Sequence, residues 1–538
     1  MSSLRGGIRA AARVAVLSAA GVLASGCQSL EFGEPDNVPA RSITDEYPHL
    51  SPVPQRDAGA GSRPRSVAIP GEPATSIAGY HAPHPATDAL GSPIPKPEQT
   101  IDLGVALRLA GVENPTINLT REMIREALAR QLEARSLLLP DFNIGGNFYS
   151  HTGTLQTSSG SIRDVDRQSL YMGFGGRAVG SGTVTFPGIW LFAHLGDAVY
   201  EPLAARQQVA VRQSESQSVE NSILLDVATA YLELVGAEQR LAVLRKSATE
   251  LEEIVRITKV HAEKGQRLMS DAHRAATNAD LLRRQIREAE ENQAVASAQL
   301  CHLLNLDPAV RLRSPGGAVE SFRLIPEDAA LDELVASAVR SRPEVYTRAG
   351  AIQEALIRLR QERARPFVPV LSLGVSSGLF GGGSNQTTPE FGPLRGRADF
   401  DALAVWNLQN LGIGNAAEIR RADAGIAQAI AEYDRMVNQI RREVAEARAN
   451  VQAASRQIEV ARVALTVAEE GFVLESKRIL DGFGRPIETL DSFRQLLDAR
   501  QELIRTVIAF DTAQFCLFVA IGNNPLSHST PNAQILGK

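Results

Sequence analysis

Two short stretches, AQLC at 298–301 and AQFC at 513–516, place the thiols of Cys301 and Cys516 in matching surroundings. A cysteine beside a histidine, as Cys301 is beside His302, has the donors for a metal or an activated nucleophile. The second copy has Leu517 where the first has His302, so no second ligand recurs. No CxxC pair, nucleophile elbow, phosphate loop or HExxH run occurs, and the nine histidines do not gather at ligand spacing. The two thiols therefore read as small apolar side chains in a helix-packing seam. No enzyme activity, metal or cofactor is expected.

The 538 residues are 44% hydrophobic, enough for a large core. The net charge of −5 supplies no basic field for nucleic acid. No run of 18 apolar residues occurs, so no membrane-spanning helix is expected. The third thiol, Cys27, follows Arg5, Arg9, Arg13 and the apolar run VAVLSAAGVLASG. A basic segment followed by a short apolar one has the pattern of a secretory signal peptide. Its end, LASGC, resembles a bacterial lipobox, which implies lipidation of Cys27 (palmitate among the acyl chains), removal of 1–26 and anchoring without a spanning helix. Gln28 and Ser29, with no Asp after the cysteine, resemble lipoproteins sorted to the outer membrane. Residues 28–100 hold 13 of the 28 prolines, so 27–100 reads as a Pro/Gly-rich tether.

Beyond the tether the chain is written twice. NPTINLTREMIREAL near 114 and RPEVYTRAGAIQEAL near 342 each open a helix that runs to a proline, Pro140 and Pro369, with a Gly-rich strand-like stretch following. Further on, Ile223, Val227, Ala230, Leu234, Ala237, Leu241, Leu244, Ala248 and Leu251 step alternately by 4 and 3. Adding 217 gives Ile440, Val444, Ala447, Val451, Ala454, Ile458, Ala461, Leu465 and Ala468, apolar again throughout. A sustained 3.5-residue period predicts supercoiled helices. The proline-free tract Leu203–Asp307 breaks at Gly265 and its counterpart at Gly482, which predicts antiparallel helical hairpins about 90 Å long. Ser270 or Asp271, and Thr489 or Asp491, are candidate caps for the returning helices, and Pro486 fits a turn or first helical position. An Arg485–Asp271 pair between the tips is a candidate latch.

Between the helices, Phe142, Ile144 and Phe148, then Leu371, Leu373 and Val375, then Phe400, Ala402, Ala404 and Trp406 alternate as strands with one apolar face. Four such strands are too few to close in lipid, where no edge can stay unpaired and barrels start at about 8 strands. Either the strands form a soluble hairpin layer, or several chains pool them.

The duplicated NP/RP…EAL…P openings, the paired Gly-rich strands and the turn GFGRPIETLD resemble the TolC-like outer-membrane efflux protein family, in its lipoprotein-type form, over about 101–525. The resemblance implies a mainly α fold with β. Two structural repeats of long antiparallel helices would form an α-barrel, and four strands per chain would join a trimeric 12-stranded β-barrel in outer-membrane lipid. It implies a homotrimer working with a periplasmic adaptor and an inner-membrane transporter, as the exit duct of a tripartite efflux or type I secretion system, with helices extending into the periplasm. It also implies a periplasmic entrance ring of Glu488 and Asp491, and adaptor contact around Gly265, Ser270, Asp271, Gly482 and Arg485. A narrow ring of carboxylates attracts cations.

The organisation so read is a signal peptide 1–26, tether 27–100, repeat 1 at 101–315, linker 316–328, repeat 2 at 329–525 and a tail 526–538. The rival is a lipid-anchored coiled-coil spacer without a pore, which leaves the alternating strands unexplained.

Overall fold

Each half of the chain runs through the same order of elements, as the repeated periodicity requires. In the computed structural model the described residues are 98–176, 186–265, 268–316, 321–388, 390–480 and 484–528. All lie in one compact unit, Gly79–Lys538. Cys27, the signal peptide and most of the tether lie outside the described residues. Repeat 1 contains β1 (Glu98–Thr100), α1 (Leu103–Glu113), α2 (Pro115–Ser136), β2 (Asp141–Phe142), β3 (Ile144–Gln156), β4 (Ile162–Gly176), β5 (Phe186–Pro187), β6 (Ile189–His194), α3 (Leu195–Glu263), α4 (Met269–Leu303) and β7 (Arg311–Arg313). Repeat 2 contains α5 (Leu331–Ser341), α6 (Pro343–Ala364), β8 (Val370–Ser384), β9 (Arg395–Val405), α7 (Ile413–Leu480) and α8 (Pro486–Ala520).

The openings form as their chemistry dictates. Asn114 caps α2, its Oδ1 accepting from Thr116 N at 2.9 Å, and Pro115 takes the first helical position. Pro343 holds the same place in α6. The short helices α1 and α5, which precede these openings, were not foreseen.

The long helices exceed the expected length. α3 has 69 residues and α7 has 68, or about 100 Å each at 1.5 Å per residue. α3 begins before Leu203, running through Pro202, because His194 Nδ1 accepts from Gly196 N at 3.1 Å and starts the helix at the end of the sheet. The heptad line is the seam. Val227, Ala230, Leu234, Ala237, Leu241, Leu244 and Leu251 are buried on α3, as are Ile440, Val444, Ala447, Val451, Ala454, Ile458 and Ala461 on α7. α3 packs on α4, α7 on α8, and α8 crosses to α3. Arg500 on α8, its side chain 12% exposed, donates to Glu250 on α3 at 2.7 Å and 3.2 Å. α8 is long and apolar enough to cross a bilayer by length and composition, against the sequence expectation. It is instead a core helix, with Leu490, Phe493, Phe510, Phe515 and Phe518 buried.

Cys301 is buried in the core beside Leu300 and Leu304, and Cys516 is half-buried. Both are free thiols, as the seam reading required.

The end of the expected tether is structured: β1 pairs in parallel with β7, Glu98 opposite Arg311. The inter-repeat linker is also held. Asp511 Oδ1 accepts from Phe322 N at 3.1 Å, and Gln514 Oε1 accepts from Leu324 N and Ile325 N at 3.2 Å and 3.0 Å. Burial pushes the Asp511 carboxyl up to about 7, against the opposing hydrogen bond from Phe322.

That shift fixes a pH dependence. Well below pH 3.8, both folded and unfolded chains hold the proton. From there to about pH 7 the unfolded chain releases it while the fold retains it, so stability falls as pH rises, by a few kcal/mol at most. Asp511→Asn keeps an acceptor for Phe322. It is expected to match the wild type near pH 4 and exceed it in denaturant midpoint at pH 8; a gap independent of pH would remove this account.

Candidate functional site: an open sheet and two helical tips

The long strands pair antiparallel in the order β3, β4, β8, β9, with β6 continuing beside the first half of β8. β4 and β8 come from different repeats and approach closely: a Cβ on Gly173 would sit 2.5 Å from Gly378 Cα, so both positions must be glycine. The Tyr171 ring lies over Gly378, and its hydroxyl donates to Phe174 O at 2.7 Å.

Register sorts the two faces. On one, Ile144, Phe148, Met172, Phe174, Val375, Leu379 and Phe400 are all exposed. On the other stand Asn147, Tyr149, His151, Arg167, Ser169, Arg397 and Asp399, and, on the part of the sheet nearest the helices, the exposed Phe192, Leu403 and Val405. Arg397 pairs with Asp399 at 2.7 Å and lies 5.3 Å from the Phe380 ring centroid. The expected strand through Trp406 stops one residue earlier, at Val405, and Trp406 Nε1 donates to Phe367 O at 3.2 Å. From Leu371 to Gly381 a strand advances about 34 Å. At a tilt of about 45° that covers about 24 Å, close to the apolar band of about 25 Å on membrane barrels. β3 and β9 each keep one long edge with no strand beside it among the described residues.

At the far end of the helices, α3 closes at Lys264, and Gly265 takes φ +69° with its N–H on Ala262 O at 3.0 Å. Nothing would meet a Cβ there within 4 Å, so the left-handed backbone alone calls for glycine. Neither Ser270 nor Asp271 caps the returning helix. The cap position is Leu268, without a side-chain bond, and both residues lie inside the first turn of α4. Asp271 there favours the positive end of the helix dipole.

In the second tip Gly482 lies outside the described residues, within 481–483. Gly484, which sequence reasoning did not single out, makes the tight contact: its N–H reaches Arg478 O at 2.8 Å, and a Cβ would stand 2.8 Å from Ile479 N. Arg485 is the cap position, and Pro486 opens α8 as foreseen. Thr489 and Asp491 do not cap. Thr489 is buried inside the helix, and Asp491 accepts from Gln495 Nε2 at 3.1 Å one turn on. Glu488 is 42% exposed and reaches Arg478 at 4.0 Å. No ion pair joins Arg485 to Asp271 within one chain. The structure instead ties the tips through Arg494 on α8, which donates to Asn278 Oδ1 on α4 at 2.6 Å.

Apolar side chains missed by the sequence reading crowd this end: Leu268 is 70% exposed, and Met269, Leu480 and Ile487 are exposed beside the turns. Along α7, Val460, Val463, Val467 and Leu474 are exposed at heptad steps, a second seam that the chain does not cover. The signal was present in the sequence as a second apolar line beside the first.

Residues 334–523 match the family model described as outer membrane efflux protein. No curated protein matches the chain in sequence. Solved structures with this fold include a membrane protein from Pseudomonas aeruginosa (20% identity, TM-score 0.63, 78% of this chain and 93% of that one). The outer membrane protein VceC from Vibrio cholerae aligns at 15% identity and TM-score 0.61, covering 78% of this chain and 96% of that one. The Campylobacter jejuni CmeC outer membrane channel aligns at 15% and 0.64, covering 78% and 85%. The resemblance read from the duplicated openings and the second tip is thus borne out, by the family model over 334–523 and by fold over most of the chain. The mainly α fold with β in two repeats is likewise as expected.

The two tip glycines should respond differently to substitution. Gly265→Ala meets only the left-handed backbone penalty, about 1 kcal/mol. Gly484→Ala meets backbone atoms and must move the turn. Hydrogen exchange followed by mass spectrometry is expected to rise sharply across 476–492 for Gly484→Ala and only slightly around 260–270 for Gly265→Ala; equal responses would contradict the tight packing at Gly484.

Proposed function

We propose that three copies of this chain form an outer-membrane channel, a passive exit duct that takes substrates from an inner-membrane transporter through a periplasmic adaptor. The carrying observation is the sheet: a band of exposed apolar side chains about as tall as a bilayer core, an opposite face that is polar over the half carrying Arg167, Arg397 and Asp399, and two open edges. In hydrocarbon those edges must be paired. Joining β9 of one copy to β3 of the next pools twelve strands around a lumen lined by the polar face. The uncovered line Val460, Val463, Val467 and Leu474 supports the same association along the helices, since an apolar heptad line seeks a second helix.

In this arrangement α3, α4, α7 and α8 of three copies wall a tunnel, and the tips form its periplasmic mouth. Glu488 and Asp491, in the first turns of α8, ring the entrance and draw cations. Gly265, Ser270, Asp271, Gly482 and Arg485, with the exposed Leu268, Met269, Leu480 and Ile487, form the surface that the adaptor meets. Acylation of Cys27 adds a lipid anchor on the same membrane. A spacer without a pore has no use for the apolar face of the sheet, so that reading is the weaker.

Single-channel recording in planar bilayers tests the proposal. Purified protein is expected to give discrete cation-preferring conductance, and replacing both Glu488 and Asp491 with Ala is expected to cut cation preference and block by multivalent cations severalfold. Absence of conductance sinks the channel; conductance with unchanged selectivity in the double variant removes these two acids from the entrance.

A further inference from the structure

The two repeats leave the sheet differently. β6 ends at His194 and α3 begins at Leu195, with nothing between. β9 ends at Val405 and α7 begins only at Ile413, so residues 406–412 form an added turn. From Ala402 to Ala417 the chain carries no charged residue, and Trp406, Leu408, Leu411 and Ile413 are all exposed. Turns that face water are ordinarily built from polar residues. This one displays large apolar side chains instead.

The turn is also strained and held. Asn410, Leu411 and Gly412 take φ +49°, +57° and +90° in succession. Asparagine and glycine accept the left-handed region, whereas leucine does so at a cost. Leu411 is 97% exposed, so its side chain meets almost nothing of its own chain to offset that cost. Gln409 N donates to Asn415 Oδ1 at 2.9 Å, and a Cβ on Gly414 would stand 2.9 Å from Gln409 Cβ, so the turn is folded tightly onto the start of α7. At its other end the Trp406 indole is fixed to Phe367 O. Strain of this kind persists where the surrounding structure over-determines it, and it clusters where a displayed group has work to do.

Position identifies the partner. Trp406 continues the alternation of Phe400, Ala402 and Ala404 on the apolar face. Leu371, where the apolar band begins on the helix side, lies opposite Ala404. Trp406 therefore stands two residues beyond the band, or about 5 Å deeper toward the helices at a strand tilt of about 45°. That depth is the boundary between acyl chains and headgroups, where tryptophan is enriched and amphipathic segments bury their apolar side chains.

We propose that the turn 406–412 together with Ile413 is a lipid wedge: Leu408, Leu411 and Ile413 seat among phospholipid chains just under the headgroups on the helix side of the bilayer, with Trp406 at headgroup level. This rests on the reading that the sheet lies in a bilayer, and not on conductance. The uncharged run from Ala402 to Ala417 lets the segment enter without burying a charge.

Brominated-lipid quenching tests it. Trp190 and Trp406 are the only tryptophans, and replacing both with Phe leaves a dark chain. Leu411→Trp is added to one such chain and Phe400→Trp, within the apolar band, to another, and each full chain is reconstituted into phosphatidylcholine vesicles with brominated acyl chains. With bromine near the headgroup, Leu411→Trp emission is expected to fall at least twofold, with little quenching by aqueous acrylamide. Quenching by acrylamide but not by bromine means a turn in water, and quenching by neither means a turn covered by protein, such as a second copy; either overturns the proposal. Phe400→Trp separates the two readings, with bromine placed deeper in the chains. Quenching there but not at residue 411 sinks the wedge alone, and quenching at neither sinks the bilayer reading with it. Leu411→Gly in the otherwise natural chain suits the left-handed backbone. It is expected to raise the denaturant midpoint in detergent and yet to cut uptake into preformed vesicles severalfold, a pair of effects that a misfolded variant could not give; unchanged uptake contradicts the wedge.

Discussion

An unpaired strand edge cannot rest in hydrocarbon, and the rest of this structure follows from that constraint. Each N–H and C=O on the open sides of β3 and β9 would lose its water without gaining a partner. The chain supplies a sheet with an apolar face of bilayer height but too few strands to curl shut. In the proposed assembly further copies supply what it lacks, and closing the sheet with them would leave Arg167, Arg397 and Asp399 lining a lumen. The proposed conduit rests on strand number and face polarity before any transported substrate is considered.

The helices answer the same requirement at a distance. A helix about 100 Å long, with a returning arm of 35 residues or about 52 Å, cannot be a single thick core, so it is stabilised by a thin repeated seam. The seam positions are small or β-branched where helices approach, as at Ala230, Ala237, Ala447 and Ala454. The seam on α7 fades beyond Ala461, where Leu465 and Ala468 are only half-buried, and the Val460–Leu474 line takes over on another face. One helix thus carries an internal seam in its first part and an apolar line facing outward toward the tip. Cross-links such as Arg500–Glu250 and Arg494–Asn278 hold α8 against α3 and α4, so the tips sit on a braced frame.

Much of this was legible in the residues. The duplication, the paired heptad lines, the alternating strands and the glycine turn at 265 all follow from periodicity and backbone chemistry, which act locally. What was not legible depended on atoms brought together from far apart. The caps assigned to Ser270, Asp271, Thr489 and Asp491 failed because proline and the turn geometry begin each helix a few residues earlier, putting these residues inside it. The helix start at Leu195 was hidden because Pro202, the eighth residue of the helix, reads as a breaker: it gives up one backbone hydrogen bond, yet the helix runs through it from the cap at His194. The apolarity of α8 was spread among polar residues, so a search for an unbroken apolar run passed over it.

The central claim is that single chains close a common wall by sharing strands. The mass of the detergent-extracted particle, measured by native mass spectrometry, tests it most directly. The account requires a particle of three chains that persists when detergent replaces lipid, whereas a stable particle of one chain, with its sheet edges open, would contradict it.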